Sequence, residues 1–278
     1  MDSKLVSVVI TTYNRDKLLS RAIDSVLIQD YPNLEIIISD DCSENDVRAL
    51  VALKQKETSI PIKYRCNDVN SGACFTRNEG IKAASGFFIT GLDDDDEFTP
   101  DRVGTLLRSY EPKYSFITSN TLVVGRTKKF KLFTDKDPRA IYYEDCLWDN
   151  IIGTQVFVER KRLLELGGFD TNLTSAQDID MWLRLINAYG PAQRLPEVSY
   201  ILHTEHDAPR ISTSKNKLNG LKCFYDKYKL DMTSSQKKYF NFVYKYWEAG
   251  RKFNLKLLLG LDFKSSVYLL KKFFIKFM

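Results

Sequence analysis

Five consecutive acids, Asp93-Asp94-Asp95-Asp96-Glu97, close an apolar run, Phe87-Phe88-Ile89-Thr90-Gly91-Leu92. Carboxylates crowded in this way repel one another unless a cation sits among them. Hard oxygen ligands suit Mg²⁺ or Mn²⁺, and Mg²⁺ is usually held by one or two carboxylates together with the phosphates of a substrate. The chemistry implied is a metal-bridged nucleotide. An acidic run is more often a solvated turn. Here the apolar residues before it and Thr99-Pro100 after it put the acids at the end of a buried strand, where ligands bind in open α/β sheets. A calcium loop fits poorly: counting from Asp93, Phe98 stands where the EF-hand needs Gly and Gly104 where it needs the bidentate Glu.

Other groups could join this chemistry. Asp40-Asp41-Cys42-Ser43 ends a second apolar run, Leu34 to Ser39. The segment Asn70-Ser71-Gly72-Ala73-Cys74-Phe75-Thr76-Arg77-Asn78-Glu79-Gly80 is a Gly turn feeding a helix, and it can offer a diphosphate backbone N–H groups and the Arg77 cation. Taken alone, a surface helix with a solvated Arg is the commoner meaning. Asp178 opens the helical pattern of Met181, Trp182, Leu185, Ile186 and Tyr189, where the helix dipole favours an ionised carboxylate; a plain N-cap is the ordinary alternative. His203 and His206 flank Thr204-Glu205 and match no complete zinc set. One of them could complete a divalent-metal site or touch a phosphate, and His206 is preferred because it lies nearer Arg210-Ile211-Ser212.

The elements that must position these groups follow from periodicity. Val6-Ser7-Val8-Val9-Ile10-Thr11 is short and β-branched, as a buried strand should be. Leu18, Leu19, Ala22, Ile23, Val26 and Leu27 then recur at helical spacing, with Asn14 a candidate cap. Strands over 34–39, 60–65 and 87–92 alternate with helices near 46–56 and 76–84, which predicts βαβ units and a mostly parallel sheet. Asp40, Asp41 and the acids at 93–97 then share one carboxyl edge. Neither a P-loop nor a G-x-G-x-x-G turn occurs. Residues 110–150 are less regular, with a basic patch at Arg126, Lys128, Lys129 and Lys131 to which no chemistry is assigned. Val156 to Val158 reads as a strand, Arg160 to Leu166 as a helix stopped by Gly167-Gly168, and Val198 to Leu202 as a strand.

With 278 residues, 44% hydrophobic and 28% charged, the chain can bury a sizeable core and has an ordinary globular composition. It has no run of eighteen apolar residues, and Met1-Asp2-Ser3-Lys4 leads straight into a strand without a signal-peptide core, so a cytoplasmic protein is expected. Cys42, Cys66, Cys74, Cys146 and Cys223 are scattered and contain no C-x-x-C pair, which fits reduced thiols. The net charge of +5 divides unevenly. Residues 222–278 hold 13 Lys/Arg and 4 Asp/Glu, or +9, leaving −4 for residues 1–221.

Together these residues resemble the family 2 glycosyltransferases, which have the GT-A fold. Val6 through Arg15 resembles their opening strand, and Ser39-Asp40-Asp41-Cys42-Ser43 their D-D-G-S turn, with Cys42 in place of the usual Gly. Gly72 through Ile81 is similar to G-x-x-x-A-R-N-x-G-I, with Thr76 where Ala is common, and Leu92 through Asp96 to L-D-x-D-D, which contains the DxD motif. Gly167-Gly168-Phe169-Asp170 and Gln177 through Leu185 are similar to G-G-F-D followed by E-D-x-D-x-W-L-R-L, with Gln177 departing from Glu. The resemblance covers roughly residues 5–215, and five motifs in order make it specific.

It implies an inverting, metal-dependent transfer of a sugar from a nucleotide-diphosphate sugar, a UDP-sugar first of all, to an acceptor hydroxyl. Saccharide or lipid-linked intermediates of a bacterial surface polysaccharide are the acceptors the family permits. It implies Asp178 as general base, Mn²⁺ or Mg²⁺ on Asp95 with His206 as a further contact, and donor binding by Thr11, Tyr13, Arg15, Asp40, Asp41, Arg77, Asp93 and Asp94. Asp93 falls near the ribose or the metal, and either Asp40 or Asp41 meets the base of the nucleotide. Two competing readings are a sugar nucleotidyltransferase, which would carry a Gly-rich loop where Thr11 to Lys17 has no Gly, and a non-catalytic membrane-associated module, against which Asp95 and Asp178 argue.

The expected organisation is a catalytic domain over 1–220 and a basic amphipathic helical extension over 221–278. Residues 251–278 interleave large apolar residues with lysines, which suits a helix lying in a membrane interface as well as it suits one packed on protein. If the tail binds membrane, the enzyme works at the inner face of the cytoplasmic membrane, and a chain ending at Gly250 stays folded. Nucleic acid is not expected as a partner, because the rest of the chain is acidic.

Overall fold

A computed structural model describes residues 4–205 and 214–277, with side chains for 4–205 and 216–272. His206, expected at the metal, lies outside the described residues.

The first half alternates as its periodicity requires: β1 (Val6–Thr12), α1 (Asp16–Leu27), β2 (Leu34–Asp40), α2 (Val47–Lys56), β3 (Ile62–Cys66), α3 (Ala73–Ala83) and β4 (Phe88–Asp93). Alternate residues of β1 and β2 serve opposite faces of the sheet. Val8, Ile10, Ile36 and Ile38 pack under α1 and α2 with Leu19, Ile23 and Val51, whereas Val9 and Ile37 meet Ile81 and Trp182 on the other side. Strands covered on both faces read as continuous apolar runs, which is why they were legible. β1 pairs in parallel with both β2 and β4, placing Thr12 beside Asp40 and Thr11 beside Asp93. The two acidic strand ends thus share one edge, as expected.

The second half continues with β5 (Glu97–Phe98), α4 (Arg102–Arg108), β6 (Ile117–Val124), β7 (Lys129–Lys131), β8 (Arg139–Ile141), α5 (Tyr143–Cys146), β9 (Phe157–Glu159), α6 (Arg160–Glu165), α7 (Gln177–Tyr189) and β10 (Ala192–His203). Among the described residues one sheet runs β3-β2-β1-β4-β9-β6-β10-β5, with β7 on β6 and β8 on β10. It is parallel through β3-β2-β1-β4 and mixed beyond, because β9 is antiparallel to both β4 and β6.

Two strands differ from expectation. β6 lies within the stretch read as irregular, because its buried residues include the polar Thr118, Ser119, Asn120 and Thr121. Ser119 accepts from the buried Arg102 guanidinium at 3.0 Å, and Asn120 donates to the Phe133 carbonyl at 2.8 Å. β10 begins six residues before Val198, and its pairing with β6 shifts register between Leu195 and Val198. Pro196 falls in that shift, where its missing N–H does no harm.

The chain closes with α8 (Ser214–Tyr228), α9 (Ser234–Glu248), a 3₁₀ turn (Leu255–Gly260) and α10 (Phe263–Phe277). Phe224 and Tyr228 of α8 enter the main core. Tyr239, Phe242 and Leu269 form a smaller one with Trp148, Leu257, Leu258, Leu261 and Tyr268. No helix among the described residues is long and apolar enough to cross a membrane.

Candidate active site

The site forms where β1, β2 and β4 end. Asn14, expected to cap α1, instead stands at φ 54°, and Arg15 occupies the cap position without a side-chain bond. Asn14 links two loops: its N–H donates to Ser43 Oγ at 2.8 Å and its Oδ1 accepts from the Glu44 N–H at 2.8 Å. That bridge holds the loop after β1 against the turn after β2. Thr11 is half-buried and Tyr13 exposed beside it.

In the turn after β2, Asp40 accepts from Ser43 Oγ (2.6 Å) and the Tyr64 hydroxyl (2.8 Å). Asp41 accepts from Asn67 Nδ2 (2.7 Å) and from the N–H groups of Ser71 (2.7 Å) and Gly72 (2.9 Å). It therefore ties the loop that starts α3 to the strand edge. Cys42 adopts φ 66°, a left-handed conformation that costs a side chain about 1–2 kcal/mol and explains why Gly suits this position.

The acid cluster is supplied with cations from several elements. Asp93 receives Arg77 Nη2 at 3.3 Å and Gln155 Nε2 at 2.8 Å. Burial pushes its carboxyl up, Arg77 opposes that, and the neighbouring Asp95 charge adds to it. Asp94 is buried, with Thr12 Oγ1 at 2.8 Å on one oxygen and Arg15 Nη1 at 3.0 Å on the other. Its carboxyl is nonetheless pushed up to about 6 by burial. Asp95 meets Arg15 Nη1 at 3.2 Å, while its carbonyl accepts from Arg21 Nη2 at 2.6 Å. Asp96 turns inward to the Tyr200 hydroxyl (2.8 Å) and the His203 N–H (2.8 Å), and burial followed by the Asp93 and Asp95 charges raises it to about 8. His203 is buried rather than solvated, its Nε2 2.7 Å from Glu97 and its Nδ1 2.6 Å from Glu205.

Asp178 sits in the first turn of α7, after Ala176 in the left-handed region at φ 61°. Its Oδ2 accepts from Asn150 Nδ2 at 2.8 Å. Burial pushes its carboxyl up, against the N–H of Ile179 and the Lys217 and Arg77 cations, and its charge is felt at Asp93. The base candidate therefore lies near enough to the acid cluster for their charges to interact, and Arg77 acts on both. The segment that orients Asp178 is itself braced: Asn150 Oδ1 accepts from the Ile152 and Gly153 N–H groups, both at 3.1 Å, and Trp182 Nε1 donates to the Gly153 carbonyl at 3.2 Å.

Two motifs distant in sequence also meet. The Asn78 amide pairs with the Phe169 backbone, donating at 2.8 Å and accepting at 2.7 Å. Its Oδ1 lies 2.3 Å from where a Cβ on Gly168 would stand, and Gly168 has φ 74°, so a side chain there would break the joint. The joint fixes α3, and with it Arg77, whose guanidinium lies 4.9 Å from the Phe169 ring centroid.

Asn150, Gln155, Thr12 and Lys217 are the site residues the sequence did not point to. Gln155 depends on Gly91, where a Cβ would lie 1.8 Å from its Oε1. The glycine inside strand β4 was the available signal, since Gly in a strand marks a close approach.

The donor set fits a divalent cation. Asp93 and Asp95 are hard oxygen ligands whose mutual repulsion a cation relieves. Among the described residues no three His, Cys, Asp or Glu side chains cluster as a metal cage.

Residues 7–156 match the family described as Glycosyl transferase family 2. The chain is 39% identical over 245 residues to an Escherichia coli K12 protein named putative colanic acid biosynthesis glycosyl transferase WcaA, the match covering 86% of each. It is 34% identical over 184 residues to the Campylobacter jejuni GalNAc(5)-diNAcBac-PP-undecaprenol beta-1,3-glucosyltransferase, covering 65% of this chain and 59% of that one. Among solved structures, Staphylococcus aureus TarS 1–349 in complex with UDP-GlcNAc superposes with a TM-score of 0.67 at 16% identity, over 94% of this chain and 77% of that one. The Pyrobaculum calidifontis mannosyltransferase PcManGT in complex with GDP-Man and Mn²⁺ gives 0.66 at 15% identity, over 98% and 85%. At such identities the likeness is one of fold, the GT-A fold. With the sequence match spanning the strand ends, the Asp40-Asp41 turn and the acid cluster, the chain belongs to glycosyl transferase family 2.

Proposed function

We propose that this glycosyltransferase moves a sugar from a UDP-sugar to a hydroxyl of a lipid-linked or saccharide intermediate in bacterial surface-polysaccharide synthesis, with inversion at the anomeric carbon. The observation that carries the proposal is Asp178, held by Asn150 Nδ2 at 2.8 Å and close enough to the acid cluster for its charge to act on Asp93. The named activities of the Escherichia coli and Campylobacter jejuni relatives support the substrate class. The UDP-GlcNAc complex of the fold neighbour supports the donor.

In this mechanism the acceptor hydroxyl attacks the anomeric carbon as the carbon–oxygen bond to the diphosphate breaks, and its proton passes to Asp178. Attack opposite the leaving group inverts the centre. Asp95, with Asp93 beside it, would hold Mn²⁺ or Mg²⁺, the former being the ion bound in the mannosyltransferase complex; when bound, the ion neutralises charge on the departing diphosphate. Arg77 and Arg15 carry fixed positive charge to the same edge. Asp41 and Asp40 line the nucleotide side with Thr11 and Tyr13, and Asp94 shapes it from beneath through Thr12 and Arg15. His206 remains a proposed further contact to metal or diphosphate. Residues 1–220 carry the transfer, and residues 221–278 bring the enzyme to the cytoplasmic face of the membrane that holds the acceptor.

Asp178→Asn tests this reading. Donor affinity should persist while turnover falls about 10²- to 10⁴-fold, the usual contribution of a positioned base. A donor dissociation constant that rises in step with the loss of rate makes Asp178 a binding residue instead.

A further inference from the structure

The tail has two faces. Its inner face packs on protein: Leu257, Leu258, Leu261 and Tyr268 close over Tyr239, Phe242 and Trp148. Its outer face keeps a second set of large apolar residues in water. Leu255 is 74% exposed, Leu259 85%, Phe263 82% and Leu270 56%. Phe263 and Leu270 stand seven residues apart on α10, hence on one side of the helix, while the buried Ser265 and Leu269 mark the other. Packing therefore does not account for these four residues.

Charge selects what covers them. Lys256, Lys264 and Lys271 are exposed among these apolar residues. From residue 251 to the end the chain has seven Lys/Arg and a single acid, Asp262. That acid is engaged within the tail, by Ser265, Ser235 and Lys238. A second copy would bring the same lysines to a two-fold interface and set like charges against each other. Lysines beside leucines and phenylalanine instead suit a surface with anionic headgroups outside and hydrocarbon beneath, and an amphipathic segment lies in such an interface without crossing it.

We propose that Leu255, Leu259, Phe263 and Leu270, with Lys256, Lys264 and Lys271, form a docking face for an anionic phospholipid bilayer. The proposal rests on the reading that the acceptor is lipid-linked and identifies the surface that meets its membrane. The inner face stays on the catalytic domain while the outer face enters the headgroup layer.

The test is partition of the full-length protein, with neither donor nor acceptor, onto sedimented vesicles of mixed phosphatidylglycerol and phosphatidylcholine and of phosphatidylcholine alone. The wild type should bind the anionic vesicles about tenfold or more tightly than the neutral ones, the effect expected of a few lysines. Leu259→Glu with Phe263→Glu should reduce binding to the anionic vesicles by about tenfold or more, as should Lys256→Glu with Lys264→Glu, which should also erase the lipid preference. Both variants replace exposed side chains, so they should melt with the wild type and turn over a water-soluble acceptor at its rate. Equal wild-type binding to both vesicle types, or variant binding equal to wild type, overturns the docking face. So does self-association by sedimentation equilibrium that the leucine and phenylalanine variant abolishes. Loss of transfer to every acceptor with vesicle binding intact counts against the proposed function and leaves the docking face standing.

Discussion

Asp178 lies where burial disfavours its charge, and the side-chain amide of Asn150 donates to it at 2.8 Å. Only the carboxylate form accepts a proton, so the rate falls as pH drops through the Asp178 pKa, which burial sets above its ordinary value. An N–H donated to a carboxylate favours the charged form. Asn150→Ala should therefore move the acid limb of the kcat–pH profile to higher pH and lower kcat about tenfold, the worth of one hydrogen bond to a charged group. An unmoved limb would assign the ionisation to another residue. At the acid cluster, Asp95→Ala should remove Mn²⁺-dependent donor binding measured by calorimetry while leaving the melting temperature within a few degrees, because the loss of the Arg15 pairing is offset by relief of the repulsion between Asp95 and Asp93. Full wild-type activity in excess EDTA would rule out the metal. The carboxylates of this site were legible because acids at the ends of apolar strands have few ordinary explanations. Asn150 and Gln155 were not, since an amide in a loop carries no pattern until its partner is known.

Among the elements, the parallel half could be read from sequence because both faces of β1 and β2 are buried and their residues say so. β6 escaped because Arg102 and Asn120 satisfy its polar interior from within the fold, a solution that periodicity does not record. The tail holds another such hidden connection. Tyr268 of α10 stacks on Trp148 with ring centroids 4.6 Å apart, and Lys272 pairs with Asp149. Trp148 and Asp149 lead directly to Asn150, so one face of α10 fixes the residue that orients Asp178. A chain ending at Gly250 would uncover Trp148, Tyr239 and Phe242, which counts against the expectation that it folds unchanged. Tyr268→Ala should cost about 2 kcal/mol, less than the 3–5 of a fully buried aromatic because Tyr268 is only partly buried, and should lower kcat with little effect on donor KM. Tyr268→Phe keeps the stacked ring and should restore both. A kcat indifferent to the alanine change would separate the tail from the base.

Over the whole molecule, charge and catalysis are segregated. The acid cluster is met by cations from neighbouring elements, whereas the surplus of positive charge lies in residues 222–278. The segregation was legible in composition alone, but composition could not say whether the tail packs on protein or faces a membrane, because an amphipathic pattern does not state how much of its apolar side is used. The fold answers that some of it is used and some is not. An enzyme arranged in this way should respond to salt only through the acceptor. Lysines near an anionic leaflet contribute about 1 kcal/mol each, so three of them change membrane affinity on the order of 100-fold. Screening shortens to about 3 Å at 1 M salt from about 10 Å at 0.1 M. Raising KCl across that range should therefore raise the apparent KM for a lipid-linked acceptor in phosphatidylglycerol vesicles by about tenfold or more, while the KM for a water-soluble analogue and for the donor stays within about twofold. The charged residues proposed to bind the donor are buried or partly buried and would be screened far less than exposed lysines. If salt raises the KM of both acceptors equally, the charge acts at the acid cluster and the tail's lysines do not deliver the enzyme to its acceptor.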